Sequence, residues 1–135
     1  MSEKKDGRPT VDERYVRPRA AWEKMKAAQN TGQTVYLYGT TGSGKTSFVA
    51  DFMGRKRYHY VTVAHIGIEE IMEMVQGSTD AQTILVIDDL HLLETEEDRS
   101  ACGQLVEALS GRQDVWLILI SRAPMPRWLS GIFLY

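Results

Sequence analysis

Cysteine is almost missing: Cys102 is the only one in 135 residues. A single thiol excludes an intrachain disulfide and any zinc cluster built on cysteines. Positive charge is not in excess either. Sixteen Lys and Arg stand against eighteen Asp and Glu, a net charge of -2. That balance excludes the strongly basic body that holds nucleic acid by neutralising phosphates. No apolar run approaches the roughly 20 residues of a membrane-spanning helix. The polar start, Met1 to Pro9, lacks the apolar stretch of a secretion signal. Internal repeats and low-complexity tracts are absent, and the three histidines fall at no metal-site spacing. What remains is an ordinary globular composition, 43% hydrophobic and 25% charged, in a chain of one-domain length. A soluble cytoplasmic protein is expected.

Residues 1–15 are rich in charge and poor in anything to bury, and are expected to form a flexible tail. Residues 16–135 then read as one domain. Trp22, Met25 and Ala28 recur at helical spacing and give an amphipathic helix from Arg19 to Asn30. Thr34 to Tyr38 is β-branched and aromatic, a buried strand. A Gly-rich loop leads into a helix from Lys45 to about Gly54, with Phe48, Val49, Phe52 and Met53 on one stripe. Tyr58 to Ala64 reads as a second strand. Ile68, Ile71, Met72 and Val75 give a helix stopped by Gly77. Thr83 to Ile87 and Val115 to Ile120 are apolar enough to be buried on both faces of a parallel sheet. Between them, Cys102, Leu105, Val106 and Leu109 mark a further helix closed by Gly111. Gly131 to Tyr135 reads as the start of a fifth strand with no helix after it. This alternation predicts an α/β fold built from right-handed βαβ units. The apolar ending suggests a fragment of a longer protein.

The strongest chemical signal is Gly39-Thr40-Thr41-Gly42-Ser43-Gly44-Lys45-Thr46. It fits G-x-x-x-x-G-K-[ST] and lies between a predicted strand and a predicted helix. The glycines let backbone N–H groups approach and cradle phosphates at a helix N-terminus. Lys45 is expected to reach the β- and γ-phosphates of ATP or ADP, and the Thr46 hydroxyl to bind Mg2+. Ser47 is grouped with the phosphate contacts.

A second signal follows the third strand. Ile84-Leu85-Val86-Ile87 runs into Asp88-Asp89, the Walker B pattern of a buried strand delivering carboxylates to its C-terminal end. Asp88 is expected to hold Mg2+ through its water shell, and Asp89 to act as the base that polarises an attacking water. Arg122, after the fourth strand, lies on the same edge and could read the γ-phosphate. On the residues alone, His91 reads as structural, and His59 and His65 receive no function. Trp22, Trp116 and Trp128 read as core or interface, and Cys102 as a buried, unreactive thiol. Glu94, Glu96, Glu97 and Asp98 sit just before the helix carrying Cys102, where acids suit the macrodipole.

The order of phosphate loop, Asp88-Asp89-Leu90-His91 and Ser121-Arg122, with Arg17-Pro18-Arg19 ahead of the first strand, resembles the signal-transduction ATPases with numerous domains (STAND). Within them it is most similar to the large MalT-type regulators of the LuxR class. The resemblance covers about residues 16–130. It implies a three-layer α/β/α P-loop NTPase fold with a mostly parallel sheet in the order 5-1-4-3-2. It implies an ATP/ADP switch acting in transcriptional regulation, with slow Mg-dependent hydrolysis and nucleotide-dependent self-association. Arg122 becomes the sensor arginine, His91 gains a polar role near the γ-phosphate, and Arg17 falls near the adenine. The helical, winged-helix, sensor and DNA-binding domains of such regulators would lie elsewhere on a full-length protein. This chain is expected to contact neither nucleic acid nor membrane. Three alternatives stand beside this reading. An AAA+-type ATPase such as a helicase loader would favour Asp-Glu over Asp-Asp and take an arginine from a neighbouring subunit. A kinase would need an acceptor pocket and an arginine-bearing lid. A non-hydrolysing module would bind nucleotide or a partner without turnover.

Overall fold

The computed structural model describes residues 11, 15–38, 45–77, 82–110, 112, 114–124, 126 and 132–133. Among the described residues, four helices alternate with four strands, and a fifth strand follows. Helix α1 spans Arg19–Thr31, strand β1 Val35–Tyr38, α2 Lys45–Met53 and β2 His59–Thr62. Helix α3 spans Ile68–Gln76, β3 Thr83–Asp88, α4 Glu96–Ser110, β4 Val115–Ser121 and β5 Ile132–Phe133. A short 3-10 turn, Leu90–Leu92, follows β3.

The strands form one sheet in the order β2-β3-β4-β1-β5, and every pairing is parallel. This is the expected 5-1-4-3-2 order. Period-two alternation sorts the strand side chains between two cores. Val35, Leu37, Ile84, Val86, Trp116, Ile118 and Ile120 face α1 and α2, meeting Met25, Phe48, Val49 and Phe52. Tyr36, Leu85, Ile87, Leu117 and Leu119 face α3 and α4, meeting Ile71, Val75, Cys102, Leu105 and Leu109. Helices on both faces of a parallel sheet make the three-layer α/β/α architecture. The most buried strand is the most apolar: all seven positions of β4 are buried. Trp116 is fully buried there, donates its indole N–H to the Gln33 carbonyl at 2.9 Å, and meets Phe52 edge-on at 5.9 Å.

Local chemistry sets the element ends. Gly32 takes a left-handed φ of 74° and its N–H caps the Ala28 and Gln29 carbonyls, closing α1. Helix α4 starts earlier than its apolar pattern suggested. The Thr95 hydroxyl accepts the Asp98 N–H at 3.0 Å, and Glu96, Glu97 and Asp98 form the first turn, where carboxylates oppose the helix dipole. Strand β2 is shorter than the apolar run Tyr58 to Ala64. It has one neighbour, β3, which ends at Asp88, so Val63 keeps a last bond to the Asp88 carbonyl and the chain then turns away. Cys102 is fully buried and its thiol is pushed up to about 12 by burial, which leaves little thiolate to react. Among the described residues no helix is long and apolar enough to cross a membrane. The expected tail, residues 1–15, lies outside the described residues except for Val11 and Tyr15, and so does Trp128.

Candidate nucleotide site

A parallel sheet brings all its strand C-termini to one edge. Register sharpens that edge: Thr62 pairs with Asp88, and Tyr38 with Ser121. The loop Gly39–Gly44 lies outside the described residues, but its two flanks are in place. Strand β1 ends at Tyr38, and α2 begins at Lys45. Thr46 is exposed in the first turn, while Ser47 is buried.

Asp88 shares its side-chain parity with Ile84 and Val86, so its carboxylate falls on the α2 face of the sheet, the same side as Lys45. Asp88 is 7% exposed. Oδ1 accepts the Asp89 N–H at 2.6 Å, and Oδ2 accepts the hydroxyl of Tyr60. Burial pushes the Asp88 carboxyl above its ordinary range. The Tyr60 hydrogen bond pulls it back, the Asp89 charge pushes the same way as burial, and Lys45 opposes. Lys45 answers in kind: burial lowers its ammonium, the Asp88 charge restores it in part, and Arg122 lowers it further. Lys45 therefore lies within electrostatic reach of both Asp88 and Arg122.

Asp89 sits half-buried at φ 65°. Its Oδ2 accepts the Thr62 hydroxyl, whose oxygen in turn accepts the Ala64 N–H at 3.2 Å. His91, on the 3-10 turn, accepts the Arg122 N–H on Nδ1 at 3.2 Å. With Nδ1 accepting, the neutral imidazole carries its proton on Nε2. The Walker B segment and the segment after β4 are thereby tied together.

Arg17 stands apart from this group. Its guanidinium makes a two-pronged contact with Asp51 of α2, at 2.9 and 3.0 Å, and lies 3.7 Å over the Trp22 ring. Tyr15 donates to the same carboxylate at 2.9 Å. Hydrogen bonding to Arg17 holds Asp51 below its ordinary value. The structure thus brings together Lys45, Asp88, Asp89, His91 and Arg122, and leaves Arg17 at a separate clamp.

Two residues of this edge, Tyr60 and Thr62, carry no motif. Their signal is a pair of hydroxyls two apart on a strand, which places both on one face. Their meeting with Asp88 and Asp89 becomes visible only when β2 is paired with β3. The donor set fits Mg2+ and a nucleotide. A buried carboxylate ends a strand, and an ammonium and a hydroxyl open the helix beside it, the donor types that Mg2+ and phosphates take.

The family described as "ATPase family associated with various cellular activities (AAA)" matches residues 35–127. A search of curated protein sequences found no relative. Among solved structures, one described as a DNA replication initiation factor is similar, with a TM-score of 0.62 and 18% identity. The similarity covers 95% of this chain and 49% of that one. The Holliday junction branch migration motor RuvB of Thermotoga maritima gives 0.53 and 20%, over 93% of this chain and 45% of that one. A Drosophila ORC structure bound to AT-rich DNA and Cdc6 gives 0.50 and 14%, over 78% and 46%. This chain spans about half the length of these proteins. The likeness is one of fold.

Proposed function

The chain belongs to the ATPase family associated with various cellular activities (AAA), and from that premise we propose that it binds Mg-ATP and Mg-ADP and hydrolyses ATP slowly. The observation that carries this reading is the convergence of Lys45, Asp88, Asp89 and Arg122 on one sheet edge. Lys45 neutralises the terminal phosphates, helped by backbone N–H groups of Gly39–Gly44. Thr46 and Asp88 hold Mg2+, which when bound offsets the charge that develops on the phosphates. Asp89 orients the attacking water and accepts its proton. Arg122 adds positive charge at the γ-phosphate, and His91 fixes the backbone from which Arg122 projects.

We place this activity in a machine that acts on DNA, of the helicase-loader kind. Support comes from the family and from the neighbouring folds, described as a replication initiation factor and a branch migration motor. A second reading, a STAND-type ADP/ATP switch in transcriptional regulation, is favoured by Asp88-Asp89-Leu90-His91. Its second acid is the shorter Asp, and its His bonds to the Arg122 backbone. Both readings share the nucleotide site.

The test is calorimetric titration with Mg-ATP and Mg-ADP, beside Lys45→Ala. Binding by the native chain and a loss of at least about tenfold in the variant are expected, because charge-assisted hydrogen bonds are worth about 1.5–3 kcal/mol. Equal affinity in both would remove Lys45 from the site. A marked preference for ADP would favour the switch.

A further inference from the structure

Strand β2 does more at this edge than pair with β3. Its register places Tyr60 opposite Val86 and Thr62 opposite Asp88. Tyr60 therefore lies two residues short of Asp88 along the neighbouring strand, on the same sheet face, within the span of a tyrosine ring. The ring packs against the α1–α2 core. That packing fixes the ring, and the ring aims its hydroxyl at Asp88 Oδ2. The other oxygen of the carboxylate is held by the Asp89 N–H at 2.6 Å. A carboxylate offers about four lone-pair sites. Two donors thus fix its plane and leave the remaining lone pairs to a cation or its waters. Without the hydroxyl, one oxygen of a nearly buried carboxylate would lose its side-chain partner. The group would then be free to swing toward the neighbouring positive charge of Lys45.

We propose that Tyr60 is a positioning residue for Asp88, and that its hydroxyl sets the strength with which this chain takes up Mg2+ beside a bound nucleotide. The role rests on the nucleotide-site reading above. Removing a partner that orients a metal ligand typically costs about 10–100-fold in metal affinity. The Tyr60 hydroxyl is spent on Asp88 and not on the nucleotide, so binding without metal should be indifferent to it.

The experiment measures ADP affinity by calorimetry across a Mg2+ titration and in EDTA. It compares the native chain, Tyr60→Phe and Tyr58→Phe. Tyr58 lies two residues earlier, just before β2, and is buried in the same core, so its variant reports any general loosening around this strand. In the native chain Mg2+ should strengthen ADP binding. In Tyr60→Phe the Mg2+ concentration at the midpoint should rise about tenfold, with the EDTA affinity unchanged. Tyr58→Phe should match the native chain in both. An unmoved or lowered midpoint in Tyr60→Phe overturns the proposal while the nucleotide site stands, as does an equal shift in Tyr58→Phe. A native chain that binds no ADP, or binds it without regard to Mg2+, overturns the nucleotide-site reading and the Tyr60 role with it.

Discussion

Asp89 is the one non-glycine among the described residues with a left-handed backbone, at φ 65°. Asp and Asn tolerate that region better than other side chains do. The conformation turns the chain out of β3 directly into the 3-10 turn, so Asp88 stays in the strand while Asp89 swings to the Thr62 hydroxyl. This makes Asp89→Asn an unusually clean variant. The amide keeps the turn and can still accept from Thr62, and only the negative charge is lost. Nucleotide affinity should hold, while ATP hydrolysis should fall by about 10²–10⁴-fold, the usual contribution of a general base. A rate within a factor of two of the native chain would leave Asp89 as a group that only orients its neighbours.

At the level of elements, the segment before α1 is fastened to α2. Tyr15 and Arg17 both donate to Asp51, and Arg17 covers the Trp22 ring. The Arg17 hydrogen bond, with Tyr15 assisting, holds the Asp51 carboxyl below its ordinary value. A folded-state value below the unfolded one means the unfolded chain binds more protons in acid. The clamp therefore stabilises the fold fully above the ordinary carboxylate range, and its contribution disappears as pH falls through the lowered value. Asp51→Asn should melt at a lower temperature than the native chain at neutral pH, and the two curves should converge in acid. A gap that persists unchanged in acid would mean the clamp acts through packing and not charge. Elements of this kind also show what the sequence reveals and what it hides. Strands β3 and β4 were legible because burial on both faces writes a continuous apolar run. The phosphate loop was legible because its chemistry demands consecutive residues. Tyr60 and Thr62 were not, since their link to Asp88 and Asp89 is set by strand register and not by spacing along the chain. The clamp on Asp51 was hidden because it joins residues far apart in the chain, brought together where the entry to α1 meets α2. The resemblance sets Arg17 near the adenine; its fork is engaged by Asp51, more than thirty residues away in the chain.

Across the whole molecule, the parallel sheet gathers the reactive groups at one open edge. The strand order is the one expected from the signal-transduction ATPases, and the DNA-handling proteins share the fold as well. Topology therefore does not choose between them, and the way the edge is completed does. Among the described residues Lys45 feels the charges of both Asp88 and Arg122, so two cations stand at this edge. Arg122 is exposed, and no carboxylate among the described residues pairs with its guanidinium. Phosphoryl transfer gains most from positive charge placed in a site closed to water. A head-to-tail neighbour would cover the edge and add a cation of its own, the contribution an arginine finger makes in trans. ATP hydrolysis per chain should then rise with protein concentration, in step with a larger sedimentation coefficient in ATP than in ADP. If Arg122 serves the site of its own chain, as proposed, Arg122→Ala should lower the rate without moving the concentration at which it rises. A rate per chain that stays flat across the same range, with one sedimenting species in both nucleotides, would mark the subunit as self-sufficient.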